Sequence, residues 1–308
     1  MSPDESDTSH ASADHVDAVA SPSELILMGT GTSVGVPVVG CPCSVCTSGN
    51  LKNRRLRSGV LVKAPGGEFV IDTGPELRLQ LLASGASMVR AAIFTHAHAD
   101  HVMGLDDLRI FGFRLEKELR TEAMRTSDLN GAEFDETSFQ ANATFTIPLY
   151  CEEDVEESIR QIFYYAFTDP TTHSHRFAAP RLRFERIQPG KSFNVLGLDV
   201  LPIRLTHGKL PIIGYRIGDV AFCTDVSTIP AESREQLEGL DTLIIDALRH
   251  QPHPTHLSVG QAVKWIERIQ PRQAILTHMS HELDYDELLN ELPDGIEPGY
   301  DGLRIPLG

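Results

Sequence analysis

The stretch Ile93-Phe94-Thr95-His96-Ala97-His98-Ala99-Asp100-His101 decides the reading of this chain. An apolar run over Ala91–Phe94 reads as a buried strand, and it delivers four potential metal ligands within the six residues His96–His101. In an extended turn, positions i and i+2 point the same way, so His96 and His98 can grip one ion. Asp100 and His101 are adjacent and displaced, so they can serve a second ion close by. Few short motifs have so low a rate of chance occurrence, which weighs against a mere surface cluster of histidines.

Working outward, further ligands are expected at the ends of other apolar strands, where layered α/β proteins collect their chemistry. His207 follows Leu201–Thr206, Asp225 follows Val220–Thr224, and His278 follows Ala274–Thr277. Singly, each would more often be a capping residue; with the H-x-H-x-D-H run they complete two ion shells. Asp72, after the strand Glu68–Ile71, reads as a carboxylate that orients a ligand rather than binding metal.

The apolar patterning predicts strands at Gly59–Lys63, Leu198–Leu205, Ile212–Ile217, Val220–Cys223, Thr242–Ile245 and Ala274–Leu276, besides Leu25–Met28. Helices are expected at Glu76–Ala83, Val155–Tyr165, Val259–Ile269 and Tyr285–Leu292. Strands and helices mixed in both halves imply a layered α/β architecture, with helices covering sheet faces.

A second cluster lies at Cys41-Pro42-Cys43-Ser44-Val45-Cys46. Three thiolates at C-x-C-x-x-C spacing want a fourth ligand for a tetrahedral, structural zinc, and His281 in Thr277-His278-Met279-Ser280-His281 is the natural candidate. Cys151 and Cys223 are isolated and read as small buried hydrophobes.

The chain has 308 residues, a hydrophobic content of 41% and a formal charge of −16, which excludes wholesale disorder and disfavours a protein that holds nucleic acid by neutralising phosphates. No apolar run reaches the roughly 18–20 residues of a membrane span. With no targeting segment evident, a cytoplasmic location is expected. Residues 1–23 read as a disordered acidic tail ahead of one domain over 24–308, and residues 114–146 as a polar insertion without a sustained period. Such an excursion could lie near a site mouth or be plain surface.

The order Asp72, His96-x-His98-x-Asp100-His101, His207, Asp225, His278 resembles the signature regions of the metallo-β-lactamase superfamily. That resemblance implies a four-layer αβ/βα sandwich with two divalent metals, manganese or zinc, at one edge. On the family's pattern His96, His98 and His207 bind one metal, Asp100, His101 and His278 bind the other, and Asp225 bridges them. The cysteine knuckle, Thr277–His281 and Tyr300-Asp301-Gly302 look like the PhnP-like branch, whose namesake activity is cyclic phosphate hydrolysis. The expected function is therefore a phosphodiesterase acting on a cyclic phosphate or nucleotide-like diester.

In this reading the metal pair lowers the pKa of a shared water, and a histidine protonates the leaving group. His250 is the expected donor, with His253 as the alternative, whereas His256 reads as structural at the entrance to the next helix. Lys209 could steady a phosphate oxygen. The stretch Asp246–His256 is richer in histidine than the branch would suggest, and His10, His15, His173 and His175 are left without a role. Alternatives are a thioesterase, a tRNA-processing nuclease, or a PqqB-like carrier that is not an enzyme. A small-molecule phosphodiester is the expected partner; nucleic acid and membrane are not expected, and a homodimer is the one protein assembly considered.

Overall fold

Period-2 alternation in the strands creates sheets with two apolar faces, and the two faces of each sheet pack against different layers. A computed structural model describes residues 22–142, 146–168 and 179–308. The tail expected over 1–23, but for its last two residues, lies outside them, as do His10, His15, His173 and His175.

The first sheet is built from β1 (Glu24–Gly29), β2 (Gly59–Ala64), β3 (Gly67–Ile71), β4 (Val89–Ile93), β5 (Ile147–Cys151), β6 (Leu182–Arg186) and β14 (Arg304–Pro306), in the order β14-β1-β2-β3-β4-β5-β6. The second contains β7 (Phe193–Val195), β8 (Leu198–His207), β9 (Leu210–Ile217), β10 (Val220–Cys223), β11 (Thr242–Asp246), β12 (Gln273–Thr277) and β13 (Ile296–Pro298), in the order β13-β12-β11-β10-β9-β8-β7. Each sheet has antiparallel pairings on one side and parallel ones on the other: β3 to β6 run parallel in the first, β10 to β13 in the second.

Leu25, Leu27, Val60, Val62, Phe69, Ile71, Ala91 and Ile93 face Ile213, Tyr215, Phe222, Ile244 and Ile275 across the middle of the molecule. The intervening residues, such as Ile26, Leu61, Val70 and Ala92, point outward to a second core under α1 (Leu77–Ser84), the first turns of α3 (Arg109–Leu129) and α5 (Glu153–Ile162). On the other side α7 (Val259–Ile269) and α8 (Tyr285–Glu291) cover Leu243, Ile245, Ala274 and Leu276. The layers run helix, sheet, sheet, helix, which is the expected αβ/βα sandwich. Short helices α2 (Ala99–Val102), α4 (Glu136–Asn142) and α6 (Ala231–Arg234) complete the described elements of this kind.

Local signals account for several boundaries. The Ser258 hydroxyl and Gln261 form a reciprocal cap on α7, Asp284 caps α8 by accepting from the Asp286 and Glu287 amides, and α1 stops at Gly85 with φ 70°. The predicted strands and helices all occur, shifted by a few residues at their ends; α5 stops at Ile162 and a 3-10 turn continues over Tyr164–Phe167.

Residues 114–146 are more regular than their lack of apolar period suggests. Much of this stretch is helical, in the 21-residue α3 and in α4. Only Phe111, Gly112 and Glu116 of α3 are buried, so the apolar period fades where the helix leaves the core, while Glu, Lys, Leu, Arg, Ala and Met keep it helical. Nor does α3 lead toward the histidine motif: Arg114 donates to the Ser87 carbonyl and Glu118 pairs with Arg90. Both contacts are at the start of β4, the end away from His96. No helix among the described residues is long and apolar enough to cross a membrane.

Candidate metal centre

The expected site residues sit where β3, β4, β8, β10 and β12 end, at one edge shared by both sheets. The first sheet supplies Asp72, His96, His98, Asp100 and His101; the second supplies His207, Asp225 and His278. Asp72, Asp225 and His278 have φ of 64°, 59° and 57°, a left-handed conformation that costs free energy in non-glycine residues and is retained here where three strands turn into the site.

Asp72 lies at the base of the histidine motif. Its carboxylate accepts from the Thr95 amide and hydroxyl, both at 2.8 Å, and lies 2.7 Å from His101 Nδ1. The Thr95 hydroxyl, having given its proton to Asp72, can accept from His96 Nδ1 at 3.0 Å. The Thr255 carbonyl accepts from His207 Nδ1 at 2.8 Å. All three rings therefore spend Nδ1 on the protein and leave Nε2 for a ligand. The backbone beneath is tight: a β-carbon on Gly104 would lie 2.1 Å from the Gly74 carbonyl oxygen, so the loop after Asp72 and the loop after His101 meet only through glycine.

Two groups of donors emerge. The rings of His96, His98 and His207 lie 4.5, 5.1 and 5.7 Å apart in pairs. His101 Nε2 is 3.3 Å from Asp100 and 3.4 Å from Asp225, and His278 Nδ1 is 3.3 Å from Asp225. Asp225 thus stands between the groups. Its Oδ1 accepts from the Thr224 hydroxyl at 2.7 Å, and the Ser58 hydroxyl lies 3.3 Å from that of Thr224. Because Ser58 precedes β2, this fully buried chain joins the two sheets. So does β9, whose Tyr215 hydroxyl donates to the Phe94 carbonyl at 2.6 Å while the Ile213 amide donates to that of Thr95 at 3.0 Å.

The residues fit divalent cations. His96 Nε2, His101 Nε2 and His278 Nδ1 are buried without a hydrogen-bond partner, an arrangement that costs free energy unless something electropositive is held there. Burial lowers the pKa of His96, His98 and His278, keeping them neutral as metal binding requires. Burial would raise Asp100 and Asp225, but the surrounding imidazoles hold both carboxylates below their usual range.

The structure also corrects the loop that follows β11. The Leu248 amide donates to the Leu257 carbonyl and the Val259 amide to that of Arg249, so the segment between leaves and returns at one place. His250 is on the outgoing leg, 47% exposed, with Nε2 3.7 Å from Glu291 of α8 and turned from the histidine cluster. His256, expected to be structural, is the one that joins the cluster. Its ring is 4.6 Å from His207 and 4.8 Å from His278, and its Nδ1 is 3.3 Å from the buried Asp246. Burial drives Asp246 well above the carboxylate range, and its other oxygen accepts from the Leu257 amide at 2.8 Å. The signal available in sequence was Asp246 itself, a strand-end carboxylate like Asp72. Lys209 is exposed in the β8–β9 turn, after Gly208, which packs on Thr255.

At the cysteine cluster His281 Nδ1 lies 3.3, 3.4 and 3.5 Å from the Sγ atoms of Cys41, Cys43 and Cys46. A tetrahedron with bonds of about 2.0–2.3 Å has edges of about 3.3–3.8 Å, so the four donors match a closed zinc site. The Cys46 amide and His281 bring the Cys43 thiol down to about 6, whereas burial pushes Cys46 up to about 11. Arg55, fully buried, grips the carbonyls of Ser280 and Leu283 on either side of His281, at 3.0 and 2.8 Å.

Among known proteins, the β-lactamase superfamily domain matches residues 68–279. A crystal structure described as a new diphosphatase from the PhnP family is 34% identical, with a TM-score of 0.76 over 93% of this chain and 98% of that one. An octanoyltransferase of Porphyromonas gingivalis is 36% identical over 285 residues, 91% of this chain and 50% of that protein, so the chain spans about half of that relative's length. A ribonuclease Z of Methanocaldococcus jannaschii is 25% identical over 311 residues, covering 87% of this chain and 89% of that protein.

Proposed function

The chain belongs to the metallo-β-lactamase superfamily, where it is PhnP-like, and from that membership we propose that it is a metal-dependent phosphodiesterase acting on a small cyclic phosphate or nucleotide-like diester. The observation that carries the reading is the convergence of buried, unpartnered imidazole nitrogens from both sheets on Asp225. His96, His98 and His207 would hold one divalent ion, manganese or zinc, Asp100, His101 and His278 the other, and Asp225 both. Two such ions, when bound, lower the pKa of a shared water and neutralise charge on a phosphoryl group. The diphosphatase relative supports a phosphorus centre as the point of attack, rather than an acyl carbonyl.

The chain's own contribution is orientation and a proton. Asp72, Thr95 and the Thr255 carbonyl hold three ligand rings in one tautomer. His256, whose Nδ1 lies 3.3 Å from the buried Asp246, is suited to hand a proton to the leaving alkoxide, since its ring lies against the ligands and an imidazole can release a proton near neutral pH. Cys41, Cys43, Cys46 and His281 would bind a third ion that is structural and closed to substrate.

The test is a screen of purified protein supplemented with manganese or zinc against cyclic ribose phosphates, cyclic nucleotides, bis(p-nitrophenyl) phosphate, thioesters and a tRNA precursor. Turnover of diesters that chelators abolish, with little turnover of monoesters, is expected. Cleavage of the tRNA precursor or a thioester alone would overturn the reading.

A further inference from the structure

Thr255 ties the loop after β11 to the metal centre. Its carbonyl accepts from His207 Nδ1 at 2.8 Å, which leaves His207 Nε2 for an ion. A carbonyl can aim a ring only if it is itself held still, and this loop has little backbone structure to hold it. Among the described residues, 250–256 make no backbone-to-backbone hydrogen bond. Pro252 and Pro254 lack the N–H to donate one, and Gln251 and Pro252 are exposed.

Side chains therefore give the loop its shape. On the outgoing leg Arg249 donates from Nε to the Gln251 carbonyl at 3.3 Å and from Nη2 to the Pro252 carbonyl at 3.2 Å, bending the chain around one guanidinium. On the return leg the Thr255 amide and hydroxyl lie 3.3 and 3.2 Å from His253 Nδ1. A backbone N–H only donates, so His253 Nδ1 presents a lone pair to it. This amide, two residues on, is the one an Asx turn would satisfy. Gly208, next to His207, closes the other side: a β-carbon there would lie 2.9 Å from the Thr255 methyl.

Arg249 has a third contact, Nη1 3.6 Å from Glu282. Both side chains are partly exposed, and an ion pair of that length contributes little. The grip on two successive carbonyls decides, and it suits a rigid planar fork better than a lysine ammonium.

We propose that Arg249 and His253 are positioning residues for the metal ligand His207: Arg249 fixes the outgoing leg, His253 fixes Thr255, and the Thr255 carbonyl fixes the ring. This rests on the metal-site part of the proposed function and on no particular substrate.

Manganese affinity, read from the paramagnetic resonance of the free ion, reports the histidine cluster, since a thiolate-rich site does not favour manganese. Arg249→Ala and His253→Ala should each weaken it about three- to tenfold, less than the loss of a partner that touches the ligand directly. His253→Asn, whose side-chain oxygen can accept from the Thr255 amide, should recover most of the loss, and Arg249→Lys only part. Glu282→Gln should match wild type. Because both residues act through one carbonyl, the double alanine variant should lose less than the product of the single losses. Long-range 15N–1H correlation spectra of metal-free protein should show His207 as the Nδ1–H tautomer in wild type and as a mixture in His253→Ala, with His96 unchanged. A merely structural role would lower the melting temperature and leave tautomer and affinity alone. Unchanged affinity in both alanine variants, or a His207 that stays purely Nδ1–H in His253→Ala, would overturn the proposal. So would a Glu282→Gln loss as large as that of Arg249→Ala. The two readings fail separately: wild type that binds no manganese would defeat the metal centre, and the metal-free spectra would still judge the brace.

Discussion

Single hydrogen bonds decide how the ligand atoms of this site are aimed. Thr224 donates to Asp225 Oδ1, the oxygen nearest His101 and His278, and Ser58 secures Thr224 in turn. Thr224→Val should keep the fold but free that carboxylate, weakening metal binding about 10–100-fold, as read by competition with a fluorescent chelator. An unchanged affinity would mean that the hydroxyl is incidental. The two loop histidines separate by substrate. His256→Ala should slow alkyl diesters about 10²–10⁴-fold and spare p-nitrophenyl diesters, whose leaving group needs no proton. His250→Ala, which loses only a surface contact with Glu291, should leave turnover of both substrates as it is. The reverse ranking would restore the role first expected of His250.

Among the elements, the loop from β12 to α8 carries the heaviest demands, because His278 and His281 lie three residues apart in two different sites. The loop is pinned by the Met279 amide on the Thr30 carbonyl at 2.9 Å, by Arg55, and by Asn53, which donates to Asp284 at 2.6 Å and accepts from the Tyr285 amide at 2.8 Å. Cys43→Ser should release one zinc equivalent, counted by plasma emission, and lower the melting temperature through loss of the metal cross-link. Activity should fall indirectly and return in part with excess manganese, because the backbone clamps persist without the ion. If the zinc count does not change, the knuckle is not a metal site.

At the scale of the whole molecule, Asp301 joins the C-terminal segment to the start of the chain. Its carboxylate accepts from the Thr30 amide at 2.9 Å, the Thr30 hydroxyl at 2.8 Å and the Leu56 amide at 2.7 Å. Burial nevertheless raises it to about 6, against an ordinary value of 3.8, with these hydrogen bonds and Arg55 opposing the rise. The folded state then binds the proton more tightly than the unfolded chain does, so the contribution is largest at low pH and is lost as pH rises through about 6. From about pH 5 to about pH 7.5, wild type should lose about 1 kcal/mol relative to Asp301→Asn in urea unfolding. A difference that is flat with pH would show that Asp301 is ionised throughout.

Much of this was legible in sequence because it is encoded locally. The strand leading to His96, the helix over Val259–Ile269 and the ligand-bearing strand ends all follow from apolar period and the residue that breaks it. The short or polar strands β5, β6, β7, β13 and β14 escaped that reading, since a strand such as Leu182–Arg186 at a sheet edge has no fully buried face. So did the long α3, whose outer turns touch no core and so carry no period. The separation of His250 from His256 was decided by tertiary structure alone. Both follow the same strand in a histidine-rich loop, and only the return of that loop to Asp246 and Leu248 turns one ring into the site and the other toward Glu291. The same holds for the tautomers of His207 and His253, which are set by one residue, Thr255, through atoms whose direction no spacing of residues can specify.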